Sequence, residues 1–144
     1  MYIYNNTFSH NQAYSYSNAV NLNIKKLEIK ASTFVNNTLI SKANGFSFGG
    51  AIYALISDFQ IYNTSFINNT NFIGGAIFIE QHQKYTNFIG RLEGVIGVGN
   101  SALDDCGFLY LSTGLIKITL IVKFSYFKSN FGTVRNQILV IKII

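Results

Sequence analysis

This chain is poor in charge, has one cysteine, and carries neither proline nor tryptophan; Asp, Glu, Lys and Arg make up 12% of its 144 residues. Each shortage excludes something. A single Cys106 cannot close an internal disulfide or build a cysteine-based metal cage, so it is expected to be a small buried hydrophobe. Low charge together with 49% apolar residues excludes a disordered chain. No stretch approaches about 18 consecutive apolar residues, so no transmembrane helix is expected. The segment from Leu115 to Phe124 is broken by Lys117 and Lys123, and the apolar tail from Ile138 to Ile144 is short and interrupted by Lys142. Residues 1–6 (Met-Tyr-Ile-Tyr-Asn-Asn) have neither a basic start nor an apolar run, so no signal peptide is visible. A surface-type module without targeting signals would either stay inside the cell or be a piece of a longer product. The helix formers Ala, Glu and Gln are sparse. Ile, Phe, Tyr, Val and Leu, which fit pleated strands, dominate the apolar set.

The formal charge is +5, from 11 basic and 6 acidic residues. The basic residues are scattered, and the one cluster is Lys25, Lys26 and Lys30. A nucleic-acid-binding stripe is denser than this. The cluster is read instead as a solvated edge whose lysines discourage sheet-to-sheet aggregation, and no nucleic-acid partner is expected.

The informative feature is an internal repeat. Phe-x-x-Asn is followed by a polar stretch and then Gly-Gly-Ala-Ile and an aromatic. The best copy runs Phe66 to Asn69, then Gly74-Gly75-Ala76-Ile77-Phe78. A second has Phe34 to Asn37, then Gly49-Gly50-Ala51-Ile52-Tyr53 after a longer insert. The first half recurs as Phe8 to Asn11, with Asn18-Ala19-Val20 in place of the glycine element, and as Phe127 to Asn130, followed by Asn136-Gln137-Ile138-Leu139. A worn copy has Val98-Gly99-Asn100 and then Cys106-Gly107-Phe108-Leu109-Tyr110, in a register open by one residue. Coils therefore start near Phe8, Phe34, Phe66, Val98 and Phe127, in steps of 26, 32, about 32 and about 29 residues. Such irregular steps disfavour a strict solenoid such as a leucine-rich repeat. They suit a β-helix, which keeps its strands and varies its loops.

Alternation supports short strands: Ile52, Ala54 and Ile56 against Tyr53 and Leu55, then Phe59, Ile61 and Asn63 against polar neighbours. Strands this short cannot bury a face alone. Stacking coil on coil pairs the backbone along the axis and closes a shared apolar core. The repeated Phe side chains are expected to form an internal ladder, each worth roughly 2 kcal/mol of burial. The Asn of each Phe-x-x-Asn is expected at a corner, where left-handed backbone angles and an amide ladder both suit it. Gly-Gly permits a tight turn and close approach of neighbouring coils, after which Ala and the following Ile or aromatic re-enter the core. The expected fold is an all-β parallel β-helix of about five coils, a single domain over residues 1–144. No end cap is evident, and Ile138 to Ile144 resembles a bare strand. The expectation is thus a fragment, or self-association through the β-helix ends.

Phe-x-x-Asn coupled to Gly-Gly-Ala-Ile resembles the repeats of chlamydial polymorphic outer-membrane proteins and the related repeats of large ciliate surface proteins of the pectin-lyase-like class. The resemblance covers most of residues 8–140 and is strongest over 34–80. It implies a right-handed β-helix at a cell surface or outside the cell, acting as an adhesin whose partner is a surface protein or a glycan. The long, secreted, membrane-anchored build of those families has no counterpart here.

The same architecture hosts polysaccharide lyases and hydrolases. The candidate catalytic pair is Asp104-Asp105, which resembles the paired carboxylates of polygalacturonases, where an acid and a base flank the glycosidic bond. The accompanying Asn-Thr-Asp, Ser-His-Gly and Arg-Ile-Lys motifs are missing, and the pair sits where other copies place polar linker residues. His10 and His82 are far apart. Glu80 and His82 share a strand face but supply two ligands where a metal site needs three, so neither a metal nor a cofactor is expected. Four Asn-x-Ser/Thr sequons begin at Asn5, Asn36, Asn63 and Asn68; the repeat itself generates three of them. The leading expectation is a non-enzymatic surface or adhesion module. The alternative is a degenerate carbohydrate-active β-helix that binds or cleaves an acidic glycan.

Overall fold

The computed structural model describes residues 1–14, 16–40, 47–81, 87–112 and 117–132. Within them the chain is all β, and it repeats one circuit of four strands. The first circuit is β1 (Tyr2–Tyr4), β2 (Thr7–Ser9), β3 (Gln12–Ala13) and β4 (Val20–Asn23). The second is β5 (Lys26–Lys30), β6 (Thr33–Val35), β7 (Thr38–Leu39) and β8 (Ile52–Ile56). The third is β9 (Asp58–Tyr62), β10 (Ser65–Ile67), β11 (Thr70–Ile73) and β12 (Ile77–Gln81). The fourth is β13 (Asn87–Glu93), β14 (Ile96–Val98), β15 (Ser101–Asp105) and β16 (Leu109–Ser112). Last come β17 (Lys117–Lys123) and β18 (Tyr126–Lys128).

Every strand pairs in parallel with its counterpart one circuit away. The result is four sheets wrapped around one axis: β1-β5-β9-β13-β17, β2-β6-β10-β14-β18, β3-β7-β11-β15 and β4-β8-β12-β16. This is the expected parallel β-solenoid. The coil count is corrected: three turns carry the chain from β4 to β16, and the described residues begin a fifth coil with β17 and β18 without completing it. The Asn136-Gln137-Ile138-Leu139 element, expected as the second half of that repeat, and the stretch from Ile138 to Ile144, expected as a bare strand, lie outside the described residues.

Alternation in each strand decides what enters the core. In β8 the pattern is buried, half-buried, buried, half-buried, buried, so Ile52, Ala54 and Ile56 point inward as expected. In β9 the inward series is Phe59 and Ile61. It stops there, because Asn63 is an exposed corner residue with φ 44°. Phe8, Phe34 and Phe66 stack in register, with ring centroids 4.8 and 4.9 Å apart and planes within 5° of parallel.

The worn coil corrects the register by one residue. Gly97, not Val98, pairs with Phe66 on one side and Phe127 on the other. The missing ring is supplied from elsewhere. Phe108 swings into the gap, 5.7 Å from Phe66 and 4.6 Å from Phe127. A Cβ on Gly97 would lie 2.6 Å from that ring. In the second half of the worn copy the open register is fixed by pairing: Leu109 with Ile77 and Tyr110 with Phe78.

The asparagine expectation divides between two neighbouring residues. The left-handed corner belongs to the residue before the motif Asn: His10, Asn36, Asn68, Gly99 and Ser129 all have φ between 53° and 66°. The motif asparagines Asn11, Asn37, Asn69, Asn100 and Asn130 instead turn inward and form an amide ladder. Each Nδ2 donates to the next Oδ1, at 2.8, 2.8, 2.9 and 2.9 Å. Each Oδ1 also accepts the backbone N–H of the preceding Asn, at 3.0–3.2 Å. The second Nδ2 proton is used as well: Asn37, Asn69, Asn100 and Asn130 donate to the carbonyls of Phe8, Phe34, Phe66 and Gly97. A row of buried polar groups is thereby satisfied without water, which low-dielectric burial requires.

The Gly-Gly element works as expected, with a separate task for each glycine. Gly49 and Gly74 take φ 67° and 66°, a region that favours glycine. Gly50 and Gly75 lie against the next coil: a Cβ on Gly50 would collide with the Gly75 carbonyl oxygen, and one on Gly75 with that of Gly107.

Candidate functional site

The predicted catalytic pair is placed differently from its expectation. Asp104 and Asp105 belong to β15, not to a linker. Asp105 is buried and lies 3.4 Å from the buried Cys106 Sγ, which donates to its Oδ1, whereas Asp104 is half-buried. The pairing of β15 with β11 slips by one residue between Ala102 and Asp105, so burial rather than alternation separates the two carboxylates: Asp105 is interior and Asp104 is nearer the surface. His10 sits at a corner with its Nε2 3.1 Å from Asn36 Nδ2. His82 lies outside the described residues. Among the described residues no three His, Cys, Asp or Glu side chains converge as metal ligands, and no helix is long and apolar enough to cross a membrane. The four sequon asparagines Asn5, Asn36, Asn63 and Asn68 all stand at positive-φ corners.

The lysine cluster is not a basic stripe. On the outer face of the first sheet, Lys26 pairs in register with Asp58, and Lys30 lies in the row Tyr4–Lys30–Tyr62–Glu93–Lys123. The neighbouring row is Tyr2–Glu28–Gln60–Arg91–Ile121. Charges of both signs alternate there. The Arg91–Glu93 ion pair, at 3.9 Å and more than a third exposed, is one of them.

A concave feature lies on the outer side of the fourth sheet. Ile52 and Ile77 enter the core, and the next residue of each strand must therefore face out. Tyr53, Phe78 and Tyr110 occupy that position in register on β8, β12 and β16. Their expected return to the core with Ile is corrected for Tyr53 and Tyr110, which are half-buried outside the cluster that holds Ala51, Ala76, Ile52 and Ile77; Phe78 is buried, but against these rings and not in that cluster. The rings stack along the axis, 5.6 Å from Tyr53 to Phe78 and 5.0 Å from Phe78 to Tyr110. Phe48 leans on Phe78 at 4.6 Å and 49°. Tyr16, at a left-handed corner with φ 38°, tilts over Tyr53 at 5.3 Å and 59°. With Ile73, Glu80 and Ser112 they line a groove of about 340 Å³.

Glu80 is the charge in this groove. It sits two residues after Phe78 on the same outward face, half-buried, and its Oε2 accepts a 2.6 Å hydrogen bond from the Tyr53 hydroxyl. Burial, and secondarily that bond and the carboxylate's charge, push the Tyr53 phenol well above its ordinary value. Among the described residues no Lys or Arg forms an ion pair with Glu80.

The sequence motif contained the signal for this groove. Its final aromatic follows an inward Ile, and strand alternation sends it outward. Tyr16 and Phe48 carry no such signal, because their positions follow from loop paths between strands.

In comparisons with known proteins, no family model matches this chain, and no significant match arises among curated proteins or among solved structures.

Proposed function

We propose that the chain is a non-enzymatic β-helix module of surface or adhesion type that presents a long outer face to a surface protein or glycan. The observation that carries this reading is the first sheet's outer face. Its in-register rows of Tyr, Lys, Glu, Gln, Asp and Arg form a five-strand surface of mixed charge and aromatic character. The burial of Asp105 beside Cys106 supports a non-catalytic role, because acid and base must both reach one bond. The coil is proposed to be right-handed, the hand that parallel strands joined by a crossover overwhelmingly adopt. With that hand, the Phe-x-x-Asn and Gly-Gly-Ala-Ile repeats favour the surface-protein class of β-helices that they resemble.

The face also sets the mode of binding. Five strands of 3 to 7 residues, about 4.8 Å apart, cover roughly 20 by 17 Å at their mean length. That is less than half of the ~800 Å² per partner of a standard stable interface. Single modules bind weakly, and clustered copies bind by avidity. Beads densely coated with the protein are expected to adhere to a cell or glycan surface that soluble monomer barely occupies. Charge reversal at Lys30 and Arg91 to Glu is expected to reduce that adhesion. Turnover of polygalacturonate that is lost in Asp105→Ala would overturn the reading.

A further inference from the structure

We infer that the groove on the fourth sheet binds an organic cation of the quaternary ammonium class. This inference stands apart from the adhesive reading, since it concerns a different face and a small ligand.

Three observations select that chemistry. First, Glu80 places a carboxylate in a groove otherwise walled by Tyr16, Phe48, Tyr53, Phe78, Tyr110 and Ile73. No described basic side chain pairs with that carboxylate. A ligand that brings positive charge is attracted, and an acidic glycan is repelled. Second, the walls are π-rich, and aromatic faces attract cations. The rings touch one another at 4.6–6.3 Å, too close to hold an ion between them. The cation therefore rests on the outer side of the cluster, against Tyr16, which is about half exposed. Third, the apolar faces of Ile73, Phe48 and Phe78 stand beside the polar groups of the lining. The Glu80 carboxylate already takes the Tyr53 hydroxyl, and Ser112 and the phenols complete the polar set. A quaternary ammonium has no N–H to satisfy, and its methyl groups match an apolar wall. A volume of about 340 Å³ accommodates such a headgroup with its attached carbons.

The test uses the whole 144-residue protein with choline chloride as the probe and 3,3-dimethylbutan-1-ol as its neutral isostere. Binding is read by amide shift changes and by tyrosine fluorescence, which no tryptophan obscures. Choline is expected to perturb Tyr53, Phe78, Glu80 and Tyr110 saturably, and the isostere to bind at least roughly fivefold more weakly. Glu80→Gln is expected to weaken choline by a similar factor with an unchanged circular dichroism spectrum. Tyr53→Phe, which keeps the ring, is expected to retain binding. Equal binding of choline and the isostere, no saturable shift in these residues, or undiminished binding by a folded Glu80→Gln protein would each overturn the proposal. Should Glu80→Gln fail to fold, the choline-against-isostere comparison on the unaltered protein decides alone.

Discussion

The side chain of Asn69 makes four hydrogen bonds in the interior. Its Oδ1 accepts from Asn37 Nδ2 and from the Asn37 backbone, and its Nδ2 donates to the Phe34 carbonyl and to Asn100 Oδ1. Replacing it with Ala strands donors on Asn37 and an acceptor on Phe34, all beyond the reach of solvent. Each stranded buried group costs about 1–3 kcal/mol, so Asn69→Ala is expected to lower stability by about 3 kcal/mol or more. Asn11→Ala, at a half-buried site in the first coil, is expected to cost less than half as much. Urea unfolding of the two variants measures the difference. A second residue-level consequence concerns Tyr53. Its raised pKa, from burial first and the Glu80 hydrogen bond second, means the folded state holds the phenol's proton more tightly than the unfolded state does. That contribution to stability is complete below the ordinary value of 10.0 and is lost as pH climbs above it. The melting temperature is therefore expected to fall as pH rises above 10, and Tyr53→Phe is expected to flatten that fall.

At the level of the element, the worn coil tests how a ladder tolerates a missing rung. Gly97 removes the phenylalanine, and Phe108 fills the space from the adjacent strand system, across the lumen. Restoring the motif with Gly97→Phe is expected to destabilise the protein by about 1–3 kcal/mol or more, because the site is already full. Phe108→Ala alone is expected to cost about 3–5 kcal/mol through the cavity it leaves. Together the two changes are expected to cost less than their sum, since each relieves the other's defect. A double-mutant cycle from thermal or denaturant unfolding reads that coupling. The same coil marks how far the fold was legible. Phe-x-x-Asn, Gly-Gly and strand alternation located the coils and the Phe ladder. They misplaced Gly97 because its partner ring is 11 positions downstream in sequence, a compensation that no local pattern encodes. Similarly, the motif Asn was visible, but the division of labour between Asn68 at the corner and Asn69 in the ladder rests on which of two adjacent amides faces inward. The aromatic groove was half legible. Its stacked row follows from alternation, while Tyr16 and Phe48 reach it by loop geometry.

At the level of the whole molecule, strand pairing joins each coil only to its neighbours, and the bond from Asn18 Nδ2 of the first coil to the Thr70 carbonyl of the third is a contact that skips one. Stability is nearly a sum of coil and interface terms along one axis. The described coils are unequal. Phe34, Phe59, Phe66 and Phe88 are fully buried, with the Asn37, Asn69 and Asn100 amides beside them. In the first coil Phe8 is half-buried and Tyr2, Tyr4 and Tyr14 are exposed. In the last, Phe127 is half-buried and Phe124 stands 89% exposed at a left-handed corner with φ 48°, a conformation that costs a bulky residue. Opening is therefore expected to begin at β1–β2 and β17–β18 and to reach β6, β10 and β13 last. Hydrogen exchange should reveal slowest exchange for amides near Phe34, Phe66 and Phe88, with protection falling stepwise by coil in both directions. Uniform protection across all coils would mean that the coils unfold as one cooperative unit. In that case Asn69→Ala would lower protection everywhere equally. Under the coil-by-coil scheme, the loss centres on β6 and β10 and divides the stack into two units with separate transitions.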